Sequence, residues 1–222
     1  MADLIRRSIR ARPPVIGKTN LLVYLHRLDK TEHHLKSKSI QDCVDICIGN
    51  KEDFKSEHIR EAITIMIQDA GRIPLPVQIM RTAIRAFQSR SDLSKFILEF
   101  VIPALIKMRM WSSEPRIWDG VCFSLKTLAQ HKDAEPTLRA LFALPGPEFN
   151  KVIKVTTVEK VSVVKKPLAK LLKSFSQQEN HEVLSGKWLF GPDFKDYETS
   201  GGHLNLDSEK QKILKELRTK EF

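Results

Sequence analysis

An all-α chain, folded as a right-handed stack of antiparallel helical hairpins, is predicted by three observations on the sequence. Apolar residues recur at the three- and four-residue spacings of amphipathic helices, in segments that begin about every twenty residues. Prolines and capping side chains mark the segment starts, and only 9 glycines interrupt 222 residues. Hydrophobic residues make up 41% of the chain, enough for one core or a short repeat array.

The first residues read as a basic arm, residues 1–18, carrying Arg6, Arg7, Arg10 and Arg12. Pro13-Pro14 stops whatever helix Leu4 to Ile9 begins. A helical domain follows over 19–175. Leu21, Leu22, Leu25 and Leu28 line a first helix; Ile40, Val44, Cys47 and Ile48 line a second, closed by Gly49-Asn50. Ser56 is placed as the N-cap of a third, with Ile59, Ile63, Met66 and Ile67 on its apolar face.

The fourth helix is the most plainly written. Pro76 suits a first turn, where its missing amide has no intrahelical partner. Val77, Met80, Ile84 and Phe87 form one apolar stripe, and Ile79, Ala83 and Ala86 a second. Gln78, Arg81, Arg85 and Gln88 remain as the polar face. An arc that wide requires burial on more than one side.

Ser91 or Asp92 opens a fifth helix with two seams, Phe96-Phe100-Ala104-Met108 and Leu93-Ile97-Val101-Leu105. Pro103 should kink it, because it cannot donate to the Glu99 carbonyl. Glu114-Pro115 starts a sixth, whose stripe is Trp118, Cys122, Leu125 and Ala129. Pro136 and Pro147 punctuate two shorter helices. The Val and Thr content from Val152 to Val164 favours a strand, whereas Val161, Val164, Leu168, Leu171 and Phe175 keep helical spacing, and the end of this stretch is read as helix. A hairpin pair therefore occupies about forty residues, the period of HEAT-like stacks.

Residues 176–222 form a polar tail. Lys187-Trp188-Leu189-Phe190-Gly191-Pro192 stands in it as an aromatic cluster that either tucks into a groove of the helical block or meets a partner. Asp207 caps a last helix whose Ile213, Leu214 and Leu217 make a stripe narrow enough for an edge contact or a fraying end.

Several words in this chain resemble one family in order. Leu75-Pro76 with Met80-Arg81-Thr82-Ala83-Ile84 is similar to the Leu-Pro-x-x-x-Met-Arg-Thr-Val-Ile signature of the symplekin C-terminal domain. Leu21-Leu22-Val23-Tyr24-Leu25-His26-Arg27-Leu28-Asp29 resembles its Leu-Leu-Val-x-Leu-His-x-Ile-Asp. Trp111, Pro115-Arg116-Ile117-Trp118-Asp119-Gly120, Leu144-Pro145, and Pro167-Leu168 with Phe175 follow in family order. The resemblance covers about residues 20 to 175. It implies a non-enzymatic nuclear scaffold in pre-mRNA 3′-end cleavage and polyadenylation. That scaffold would hold the C-terminal regions of the nuclease and pseudo-nuclease subunits of the cleavage and polyadenylation specificity factor. Family proteins also carry an N-terminal repeat domain, so the chain is expected to be a C-terminal portion. Ala83, Pro103 and Ser112-Ser113 depart from the family pattern.

The chemistry of the residues excludes several classes. Gly17-Lys18-Thr19 resembles the end of a phosphate loop, but Arg12 stands where the first glycine is needed and no strand precedes it. Cys43 and Cys47 sit in an apolar stripe and read as core rather than as metal ligands with His33 and His34. No nucleophile with a base is visible, and no cofactor is expected. Three cysteines give no disulfide framework and suit a reducing compartment. The apolar run Phe96 to Ile106, broken by Glu99 and Pro103, is too short to span a membrane.

The charge carries more information. There are 37 basic and 27 acidic residues, for a net +10. From Lys151 to Lys173 seven lysines face only Glu159, which draws anions, RNA or an acidic protein segment alike. Lysines without interleaved aromatics build in neither stacking nor bidentate base contacts, so RNA contact is expected to be indirect or weak. The residues expected to meet partners are Arg81, Arg85, Lys165, Lys166, Lys170, Lys173, Trp188 and Phe190. A helical-repeat RNA binder using the basic face is the alternative, and a merely solvated face the plainest reading of the lysines.

Overall fold

The computed structural model describes residues 2–11, 16–28, 36–158, 161–175, 183–184, 189 and 208–219. It is an all-α structure, with one two-residue strand pair among the described residues, and divides into two compact units, Met1–Ile97 and Leu98–Phe222.

In the first unit the helices are α1 (Ala2–Arg10), α2 (Lys18–Arg27), α3 (Ser37–Gly49), α4 (Ser56–Gln68), α5 (Ile79–Ser89) and α6 (Leu93–Phe96). The arm expected at the start is thus a helix. Ile5 and Ile9 fall one turn apart and are buried, and α1 packs on α3. Next-but-one helices are the main neighbours: α1 on α3, α3 on α5, and α2 on α4. Such alternation makes two layers within the unit, an arrangement compatible with stacked hairpins.

Local chemistry explains the ends. The Asn50 amide donates to the Ile46 carbonyl and closes α3. Arg90 is buried and donates to the carbonyls of Ile48, Asn50 and Phe54, gathering acceptors that a helix end and the following turn leave free. Ser56 is the first residue of α4 rather than its cap, and the Lys55 amide donates to His58 Nδ1 at 3.0 Å.

Pro76 precedes α5 instead of entering its first turn. Its carbonyl accepts from the Ile79 amide at 2.9 Å, so the proline closes a turn that launches the helix. Val77, read as part of the buried stripe, is consequently 40% exposed in that turn, and Ile84 is only half-buried. Met80, Ile79, Ala83, Ala86 and Phe87 are buried as expected.

The second unit contains α7 (Ile102–Lys107), α8 (Met110–Ser113), α9 (Pro115–Leu128), α10 (Glu135–Phe142), α11 (Gly146–Val155), α12 (Lys165–Ser174) and α13 (Ser208–Thr219). Ahead of Pro103 the chain makes a π turn over Ile97–Val101. A π register assigns the Leu98 carbonyl to the amide of residue 103, which proline lacks. Thr137, fully buried, donates its hydroxyl to that carbonyl instead. Of the two seams read in the fifth helix, Leu93, Ile97, Val101 and Leu105 are core, while Phe96, Phe100, Ala104 and Met108 are half-buried.

The Val- and Thr-rich stretch contains a short antiparallel pair, β1 (Thr157–Val158) with β2 (Val161–Ser162). Val161 therefore belongs to a strand, and α12 starts only at Lys165. β-branching outweighed the helical spacing there because Thr156, wholly buried, turns its hydroxyl onto the Val152 carbonyl at 2.7 Å where α11 ends. Within the unit α9 packs on α11, α10 on α12, and α13 against both α11 and α12.

Candidate functional site

The family-like words lie mostly in the cores of their units. Leu21, Leu22, Val23 and Leu25 are buried on α2, Met80 and Thr82 on α5, and Ile117 and Trp118 on α9. Trp118 is 0% exposed, and Trp111 meets it edge to face with ring centres 5.9 Å apart. These words therefore specify packing, and a docking surface must be sought among other side chains.

On α5 the two arginines expected to meet partners converge on Asp45 of α3. Arg81 grips it bidentately, Nη1–Oδ1 at 3.1 Å and Nη2–Oδ2 at 2.8 Å, with both side chains about two-thirds covered. Arg85 Nε lies 4.0 Å from the same carboxylate and stays largely exposed. Much of Arg81's binding capacity is already committed to holding α5 on α3.

The lysines of the basic segment do not share one face. Lys151 pairs with Asp119 at 3.3 Å, and Lys165 turns onto α13, where Nζ meets Glu216 Oε1 at 3.2 Å. Lys154, Lys166, Lys170 and Lys173 are exposed. The last three recur at helical spacing on one side of α12, opposite buried Leu168, Ala169 and Leu172. Trp188 and Phe190 lie outside the described residues. Leu189 is half-buried and packs with Trp111 against Ala143.

Folding also brings Lys166 and Lys170 beside a segment that the sequence reading passed over. A groove of about 610 Å³ runs between α12 and the loop joining α9 to α10, with Lys132 opposite those two lysines and Leu138, Pro167 and Leu171 on its walls. Lys132 lies 34 residues before Lys166, and no local pattern links them.

Groups that suggest chemistry in the sequence have structural employment. Lys18 pairs with Asp53 at 3.6 Å and Thr19 donates to Glu61 at 2.6 Å, which binds the start of α2 within its unit. Cys43, Cys47 and Cys122 are buried free thiols. Burial raises the pKa of all three, to about 12 for Cys47 and Cys122, so none is a ready thiolate. His33 and His34 lie outside the described residues. Among those described, no cluster of three or more His, Cys, Asp or Glu is placed to hold a metal, and no helix is long and apolar enough to cross a membrane.

A family model described as "Symplekin tight junction protein C terminal" matches residues 1–156. The match includes α1 and stops at the end of α11, whereas the word resemblance began near residue 20 and continued to 175. No solved structure matches the chain.

Proposed function

Because this chain belongs to the symplekin C-terminal family, with the scaffold role in mRNA 3′-end processing that membership indicates, we propose that it holds two partners together without catalysing a reaction. The partners are the nuclease subunit of the cleavage and polyadenylation specificity factor and its inactive homologue, bound through their C-terminal regions in the nucleus. The carrying observation is a family match that spans 156 of 222 residues. The occupied chemistry supports it: the thiols are buried, and the lysine of the phosphate-loop-like word is ion-paired.

Affinity capture of the tagged chain from nuclear extract tests this reading. Nuclease and pseudo-nuclease subunits should both appear at physiological salt. Their absence, with the chain folded by circular dichroism, would sink it.

The exposed lysines of α12 favour one rival, an RNA-binding repeat protein. That reading requires filter binding of RNA to the isolated chain with a steep salt dependence, the mark of counterion release.

A further inference from the structure

We propose that the groove between the α9–α10 loop and α12 is a receptor for an acidic peptide segment anchored by one aliphatic side chain. Its rims carry Lys132 on one side and Lys166 and Lys170 on the other, all three exposed, and among the described residues none of them is ion-paired. Among the described lining residues the one acid is Glu135, which is already engaged, accepting from Arg139 Nε at 2.9 Å. The groove therefore keeps an uncompensated positive potential, which is complementary to carboxylates.

The walls narrow the choice of anion. Leu138, Pro167 and Leu171 offer aliphatic surface, and among the described residues no Phe, Tyr or Trp lines the groove; its single ring, His131, whose Nδ1 accepts from the Asp133 amide at 3.3 Å, gives no platform for successive bases. Ammonium groups on flexible stems donate to carboxylates in varied poses, unlike the forked geometry of arginine. A volume of about 610 Å³ accommodates one large side chain and its neighbours. An extended strand with Glu or Asp flanking a Leu satisfies both rims and the floor. Its biological source rests on the scaffold reading, while its chemistry rests on the groove alone.

The test is fluorescence anisotropy with the full chain and a labelled peptide of alternating Glu and Ala around one central Leu. Lys166→Glu/Lys170→Glu and, separately, Lys132→Glu should each weaken binding at least about tenfold. Lys154→Glu/Lys212→Glu, exposed lysines outside the groove, should change it less than about twofold. A peptide with Gln for Glu, or Ser for the Leu, should bind about tenfold more weakly. Equal losses in both double variants would reduce the site to diffuse charge. Tighter binding of labelled oligouridine, with the same dependence on Lys132, would assign the groove to RNA. Failure of the peptide while the nuclease subunits are still captured overturns the groove alone; the converse overturns the scaffold reading alone.

Discussion

His26 Nε2 lies 2.8 Å from Thr82 Oγ1, joining α2 to α5 through side chains of two separate family-like words. The other ring nitrogen, Nδ1, is 2.8 Å from the Leu22 carbonyl, which can only accept, so Nδ1 carries the proton and Nε2 accepts from the threonine hydroxyl. Thr82→Val keeps the shape and removes the donor. It should cost about 1–3 kcal/mol, the penalty for a buried acceptor left unpaired, read by denaturant unfolding.

The same histidine predicts a pH dependence. Burial lowers its pKa from 6.5, and burial lowers that of His58 as well. Above pH 6.5 both folded and unfolded forms are neutral and the stability contribution is complete. As the pH falls below that value the unfolded chain takes up protons first, so stability declines until the folded pKa is reached. Melting temperatures between pH 7.5 and 5 should fall, and His26→Gln should flatten the slope. A slope unchanged by His26→Gln would remove His26 as the source.

Met80 and Arg81 offer a test of how α5 is oriented. Met80 is 1% exposed, so Met80→Ala should cost about 2–5 kcal/mol through the cavity it leaves. Arg81→Ala loses the partly exposed pair with Asp45, worth about 1 kcal/mol. Urea midpoints should rank the two in that order.

Trp118→Ala should cost about 3–5 kcal/mol, because the indole is wholly enclosed and braces Trp111. Partner capture should fall only in proportion to the folded fraction. A variant that melts like the parent yet captures no nuclease subunit would make Trp118 a contact residue.

The last helix is held by Lys210, whose buried Nζ donates to the carbonyls of Phe142 and Leu144 at 2.6 and 2.7 Å, where α10 ends. Lys210→Met should cost about 2 kcal/mol, since hydrogen bonds to charged groups exceed neutral ones, and hydrogen exchange in α13 should accelerate. Lys165→Glu, which faces Glu216, should also loosen α13. Lys166→Glu, Lys170→Glu and Lys173→Glu should leave it in place. Sequence reading treated those four lysines alike; only the packing of α13 separates them.

The all-α class, most helix positions and most of the buried stripes follow from the sequence alone, although Val77 and the Phe96-Phe100-Ala104-Met108 seam stay partly exposed. Those properties are local, because the helical repeat of apolar residues, a proline near a start and an Asn after an end act within a few residues. It therefore placed Met80, Trp118, Cys43 and Cys47 in the core before any fold was known. Contacts between distant segments needed the tertiary structure. The sequence indicated that Pro103 would kink its helix and leave the Glu99 carbonyl unmet, but only the fold showed a π turn there, with the Thr137 hydroxyl donating to the Leu98 carbonyl. It marked a basic segment, but only helix packing turned Lys165 inward and set Lys132 across from Lys166 and Lys170. Hydrogen bonds and ion pairs are short-range in space and indifferent to separation along the chain, so they are decided when the helices dock.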